Sequence, residues 1–331
     1  MSEFRVGAMF RPASPPEELR RYAREIEAFG YHELWVVEDC FLNGGIAATA
    51  VALAETDHLM VGLGIMPAVM RNAATTAMEL ATLARLYPGR MCAGIGHGVA
   101  DWMRQIGAFP SSQLAALEEV TAAVRALLAG ERVSVDGKHV HLDGVRLDHP
   151  PTVVPPVFTG VRSEKSLRLS GRVADGTILT ELSTPAYLRW AREQIDAGRA
   201  EAGRTDPHRI TVFTLFSHDT GSARARGAAR RELAVFLRTG SLAVQLGAAG
   251  IAEEVAALIA STGDDLALAD AMPDEWVDQL AVAGDTDECV RGVHALRDAG
   301  VDSVVLMPIS ESSGALDQLA AASRSVLPHV R

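Results

Sequence analysis

Apolar and polar positions along this chain follow two periods that take turns. Short apolar runs, each the length of one buried strand, occur at Val6–Phe10, Leu34–Val37, Leu59–Met66, Met91–Ile95, Val157–Thr159, Thr177–Thr180, Ile210–Phe216 and Ser303–Met307. Between them lie stretches whose apolar residues recur every three or four positions, as an amphipathic helix requires. Glu17–Phe29 shows this with Leu19, Tyr22, Ala23 and Ile26, and Ala73–Leu86 and Gln113–Leu128 repeat it. The punctuation agrees: Pro15-Pro16 precede the first helix, Gly30 follows it, and Gly130 follows the helix that ends at Leu128. About eight strand–helix units joined mostly by short links predict an α/β fold, a (β/α)8 TIM barrel with insertions. Residues 1–331 are expected to form a single domain, and a doubly wound sheet is the alternative that the same alternation permits.

Two stretches break the rhythm. RVSVDGKHVHL (132–142) predicts a hairpin turning at Asp136-Gly137. Residues 240–285 hold no convincing strand and predict a helical excursion. From Gly263 to Glu288 there are nine acidic residues and no Lys or Arg. Without a regular ligand spacing they read as a solvated acidic face, not a metal site. His139 and His141 share one face of the predicted hairpin but have no third ligand nearby, so no metal is expected.

Charge and composition narrow the partners. The net charge of −11 (31 basic residues against 42 acidic) disfavours nucleic acid and anionic membranes. No apolar run approaches the ~20 residues that cross a bilayer, and MSEFRVGAMF leads straight into a strand, so a cytoplasmic setting is expected. Three cysteines without paired spacing fit a reducing compartment, and Cys40 reads as a buried structural thiol.

The fourth strand run carries the strongest chemical signal. In PGRMCAGIGHG (88–98), Gly94, Gly96 and Gly98 forfeit strand propensity and packing. That is tolerated where something must approach the backbone, most often a phosphate or a flat ring. The spacing is not that of a dinucleotide-binding turn. In a barrel, active sites gather at the C-terminal ends of the strands. Phe10-Arg11, Glu38-Asp39-Cys40, Pro67–Arg71, His97–Trp102, Gly160–Ser163 and Thr180-Glu181 fall there, whereas His32 and His58 precede their strands and fall at the opposite face.

ELWVVED (33–39), VGLGIMPAVMRNA (61–73), LATLARLYPGRMCAGIGHG (80–98), LRLSGRVADGTIL (167–179) and GDTDECVRGVHALRDAGVDSVVL (284–306) together resemble the bacterial luciferase-like monooxygenase superfamily. GIGHGVADWMRQIGA (94–108) is most similar to its coenzyme F420-dependent branch, relatives of methylenetetrahydromethanopterin reductase. The resemblance implies an oxidoreductase barrel, often a homodimer, that binds F420 and passes a hydride to or from a small organic substrate. FMN with O2 and a partner reductase is the alternative, and a non-catalytic cofactor-binding barrel is a second.

Carried over by position, Glu38 and Asp39 match an acidic-His pair facing the cofactor ring, and Gly64-Ile65 match a non-prolyl cis peptide behind it. His97, Gly98 and Val99 match contacts to the ring and ribityl chain. Gly160, Val161, Arg162 and Ser163 match the phosphate loop, where a following helix start adds free N–H groups. Phe10, Arg71 and Trp102 are expected beside the substrate. Asp39 stands where the family has His, which leaves His97 as the imidazole able to act near neutrality.

Overall fold

The computed structural model describes residues 4–240, 242–309 and 312–330. Eleven strands follow in order: β1 (Arg5–Met9), β2 (Glu33–Val36), β3 (Met60–Pro67), β4 (Met91–Gly96), β5 (Val133–Asp136), β6 (His141–Val145), β7 (Val157–Gly160), β8 (Gly176–Leu179), β9 (Arg209–His218), β10 (Ala281–Gly284) and β11 (Ser303–Pro308). Eight of them pair in parallel in the order β1-β2-β3-β4-β7-β8-β9-β11, and β11 returns to β1 to close the ring. The expected TIM barrel is therefore present, and each predicted strand run lies within two residues of an observed strand.

The first helices are α1 (Leu19–Ala28), α2 (Gly45–Ala54), α3 (Ala73–Leu86), α4 (Ala100–Gln105) and α5 (Gln113–Leu128). There follow α6 (Glu164–Val173), α7 (Pro185–Glu201), α8 (Ser222–Arg238), α9 (Ala243–Ala249), α10 (Ala252–Ser261), α11 (Asp265–Ala271) and α12 (Asp274–Leu280), then α13 (Thr286–Asp298), α14 (Ser312–Ser325) and α15 (Leu327–Val330). One core lies between this helical ring and the strands, with Leu34, Val61, Leu80, Val124, Leu167 and Val304 fully buried in it. A second core fills the barrel, where the Trp35 ring meets Phe213 edge to face at 5.3 Å, and it continues under α8–α12.

Three expectations change. The 240–285 excursion is helical as predicted, but it ends in a short strand, β10, paired in parallel to the far end of β9. The acidic cluster is not simply solvated. Asp274 and Asp278 pair with Arg226 of α8, Asp265 pairs with Arg238, and Asp285 and Glu288 form a reciprocal cap at the start of α13. The hairpin forms, with β5 antiparallel to β6, yet His139 falls in its turn. It is half-buried, while His141 is exposed beside Asp136, so the two do not share a face. Among the described residues no cluster of metal-ligating side chains occurs, and no single helix is long and apolar enough to cross a membrane.

Candidate active site

At the C-terminal ends of the strands, β2 divides its two carboxylates between opposite sides, as alternation along an extended segment requires. Glu38 turns outward and is buried. Arg71 donates to both of its oxygens, at 2.5 and 2.6 Å, and the Gly45 amide opening α2 donates at 3.3 Å. Such a two-pronged contact commits both groups to each other. Arg71 is held further by Glu79 at 3.5 Å. Asp39 turns the other way, toward the mouth, and burial raises its carboxyl above the usual range. Cys40 is buried, with its thiol 3.7 Å from the Met70 sulfur, and burial, Glu38 and Asp39 all push it up, away from a reactive thiolate.

The glycines of β4 have a cause the sequence did not disclose. The Gly64–Ile65 bond is cis, and the β3–β4 register breaks between Leu63 and Met66. The Ile65 side chain leans across the neighbouring strands. A Cβ on Gly96 would lie 2.8 Å from Ile65 Cδ1 and one on Gly160 would collide with Ile65 Cγ2, whereas one on Gly94 would first meet Ile178 Cδ1 at 2.5 Å, with that Ile65 methyl at 3.1 Å. What approaches the backbone here is thus a side chain of this protein. Gly98 has a separate need, a φ of +71° and a Cβ position 2.9 Å from Pro67 Cβ.

His97 lies over the first turn of α6. Its Nε2 is 3.0 Å from Ser166 Oγ, and Ser163 Oγ donates to that same oxygen at 3.2 Å. Burial lowers its pKa, the Gln113 backbone opposes this, and the Arg162 charge lowers it further, so the ring is neutral near pH 7. Ser163 occupies the N-cap of α6, yet its side chain caps nothing, which leaves the first-turn amides available. Tyr187 Oη donates to the Arg162 carbonyl at 2.8 Å and fixes the loop from below. The Arg162 guanidinium is exposed and makes no ion pair or hydrogen bond among the described residues. A free guanidinium beside an uncapped helix start is the donor set a phosphate needs.

The structure therefore gathers Ile65, Gly160, Val161, Arg162, Ser163, His97 and Gly98 around β3, β4 and β7, with Asp39 across the mouth. Val99 begins α4 and is exposed, and Trp102 on that helix is half-buried. Two expected residues lie elsewhere. Phe10 is 2% exposed, its ring 5.2 Å from Tyr22 in the β1–α1 core. Arg71 faces outward with Glu38, lining a cleft with His139 and Val140. Ser166, Tyr187 and Glu181 belong to the mouth without having been assigned a role there. The Ser163/Ser166 spacing, one helical turn, is the signal that could have found the first. Glu181 was legible only as a residue beyond a strand end.

The family model for luciferase-like monooxygenases matches residues 1–303. A 5,10-methylenetetrahydromethanopterin reductase of Methanolobus tindarius is 32% identical, over 90% of this chain and 92% of its own length. An F420-dependent glucose-6-phosphate dehydrogenase of Beutenbergia cavernae is 27% identical, over 96% of this chain and 94% of its own. Among solved structures, the coenzyme F420-dependent tetrahydromethanopterin reductase of Methanopyrus kandleri superposes with a TM-score of 0.86 across the whole of both chains, at 23% identity. The chain belongs to the luciferase-like monooxygenase family.

Proposed function

We propose that this protein is an F420-dependent oxidoreductase that moves a hydride between the deazaflavin and a small organic substrate at the barrel mouth. The observation that carries this reading is the free Arg162 guanidinium at the uncapped start of α6, set beside the Ile65 bulge. Those residues fit the group. Arg162, Ser163 and the first-turn amides would hold its phosphate, and Ile65 on its glycine seat would back its ring. When bound, the cofactor supplies a hydride at carbon and reacts poorly with oxygen. The chain's residues do the rest: His97, neutral and tied to Ser166, steadies the phosphate loop, and Asp39 faces the reacting side. Glu38 acts through Arg71, holding the β2 and β3 loops together. Gly98 and Val99 border the ring, and Trp102 borders the substrate.

The F420-dependent relatives support the choice of cofactor. FMN with O2 and a partner reductase is the second reading, favoured by the family's monooxygenase members, because Ile65 and α6 would serve either ring. The protein works as one barrel domain, in the cytoplasm, and as a homodimer. Support for the last is the outer face of α3, where exposed Met78 and Leu86 line a groove of about 620 Å3 that a second copy would cover.

Anaerobic turnover decides between the readings. We expect reduced F420 to be oxidised by methylenetetrahydromethanopterin, or F420 to be reduced by glucose 6-phosphate, without oxygen. Oxygen consumption with reduced FMN, and none of that anaerobic turnover, would refute the proposal.

A further inference from the structure

On the buried side of α6, hydroxyls stand among the apolar residues. Ser163, Ser166 and Ser170 follow one another at three- and four-residue steps, so they share one face, and Ser166 and Ser170 are buried. The first two join His97. Ser170 joins the strands. Thr159 of β7 and Thr177 of β8 are register partners, both fully buried and both turned to the helix, while their neighbours Phe158 and Ile178 pack inside the barrel. Thr159 Oγ1 donates to Ser170 Oγ at 2.6 Å, and Ser170 Oγ lies 2.6 Å from Thr177 Oγ1. Thr177 Oγ1 in turn lies 2.8 Å from Nε2 of His208, which is 8% exposed just before β9.

Each hydroxyl has one proton, and that fixes the direction of the chain. Ser170 accepts from Thr159, so its own proton goes to Thr177, the Gly176 carbonyl being more distant at 3.4 Å. The Thr177 proton then goes to His208, whose Nε2 must be an acceptor. Burial and the charges of Arg199, Arg204 and Arg192 lower this imidazole to about 4, against the Ala174 backbone, and so keep it neutral at pH 7. Bonds arranged head to tail in this way strengthen one another.

The buried threonines of α2 and α3 behave differently. Thr49 and Thr76 bond back to carbonyls one turn earlier, those of Gly45 and Asn72. Such a bond satisfies the hydroxyl and fixes nothing between elements. Apolar burial is non-directional, so it sets how far a helix stands from a sheet more firmly than its depth or rotation. Short bonds to two strands at once set both. The strand residue that reaches Ser170 is also the one before Gly160, where the loop into α6 begins.

We propose that Ser170, backed by Thr159, Thr177 and His208, positions the phosphate loop by holding the start of α6 and Gly160–Ser163 where their amides converge on a phosphate. The inference rests on the cofactor proposal, but only on its phosphate end. These four side chains touch no ligand, and they act through the backbone they hold. Amide bonds to an anion weaken steeply with angle and distance, and a displacement of about 0.5 Å is enough to loosen such a site.

The test uses the full chain and two ligands: coenzyme F420, and the same deazaflavin with a free ribityl hydroxyl in place of the phosphate. Fluorescence titration should give Thr177→Val, an isosteric change, and Ser170→Ala F420 affinities about tenfold or more below wild type, the usual worth of a supporting hydrogen bond. Their affinity for the phosphate-free ligand should be unchanged, and Thr177→Ser, which keeps the hydroxyl, should bind F420 as wild type does. Ser170→Ala removes a single atom and decides the matter should Thr177→Val not fold. Equal losses for both ligands, full F420 affinity in Ser170→Ala, or a Thr177→Ser as weak as Thr177→Val would overturn the proposal. If wild type binds no F420, the cofactor proposal fails on its own, and inorganic phosphate becomes the probe. The amide resonances of residues 163–166 should then move at lower phosphate in wild type and Thr177→Ser than in Thr177→Val and Ser170→Ala. Amides that move alike in all four proteins, or in none, would overturn the inference.

Discussion

Ile65 organises the site because Gly96 of β4 and Gly160 of β7 make room for it, while Gly94 makes room for Ile178, so these glycines serve the protein's own side chains before they serve any ligand. A Gly160→Val substitution puts two methyls into the space the Ile65 side chain occupies. We expect a loss of about 1–3 kcal/mol from overpacking, together with weakened cofactor binding, read by thermal denaturation and by F420 titration. An unchanged melting temperature and affinity would show that Ile65 is not seated there. The two mouth carboxyls give a second residue-scale expectation. Burial raises both Asp39 and Glu181, and a raised carboxyl adds stability that is complete below its unfolded value and lost as pH rises through its folded value. Asp39→Asn and Glu181→Gln should therefore raise the melting temperature at neutral pH. The gain should fade toward about pH 4, near the unfolded carboxylate value. Destabilisation at neutral pH would contradict this placement of the charges.

Among the elements, the barrel strands were legible because apolar runs bounded by turns state where a strand is buried on both faces. β10 was not. Its AVAG is four small residues following α12 directly, and only pairing with β9 makes it a strand. The acidic run misled for a similar reason, since sequence shows the acids of α11 and α12 but not the arginines of α8 that fold against them. Arg226 illustrates this, 9% exposed and reaching Asp274, Asp278 and Glu288. Arg226→Met should speed amide exchange in α11 and α12 and leave α1–α3 as they were. Equal protection in wild type and variant would mean that the Arg226 pairs do not hold the excursion, which keeps the Arg230–Asp274 and Arg238–Asp265 pairs in both. At the mouth, the position of each residue followed from the strand-end rule, but its direction did not. Glu38 and Asp39 part company as alternation requires, but which of them turns to the mouth, like the turn of Phe10 into the core, depends on local backbone beyond the strand end that composition does not encode.

The molecule as a whole separates its two ends by task. At the N-terminal end Glu33, 1% exposed, accepts from Trp35 Nε1 at 2.9 Å, Ser303 Oγ at 2.8 Å and Arg209 at 3.0 Å, with Arg5 at 3.4 Å. Burial pushes its carboxyl up, but Arg209 and these hydrogen bonds outweigh it and the pKa is lowered. Its stability contribution is thus present above the unfolded carboxylate value and lost as pH falls through the lower folded one. Glu33→Gln should cost on the order of 3 kcal/mol, as for a broken buried ion pair, shrink the acid-side loss of stability, and leave F420 affinity unaltered. A change in affinity would mean the two ends are coupled. At the C-terminal end the charges are arranged for a ligand instead: a free guanidinium, an uncapped helix and a carboxyl pair held above its usual range. Such an end suits the deazaflavin. Parallel fluorescence titrations of the purified chain with coenzyme F420 and with FMN decide it. Tight, saturable binding of F420 with weaker binding of FMN is predicted, and tight binding of FMN alone, or of neither, would contradict it.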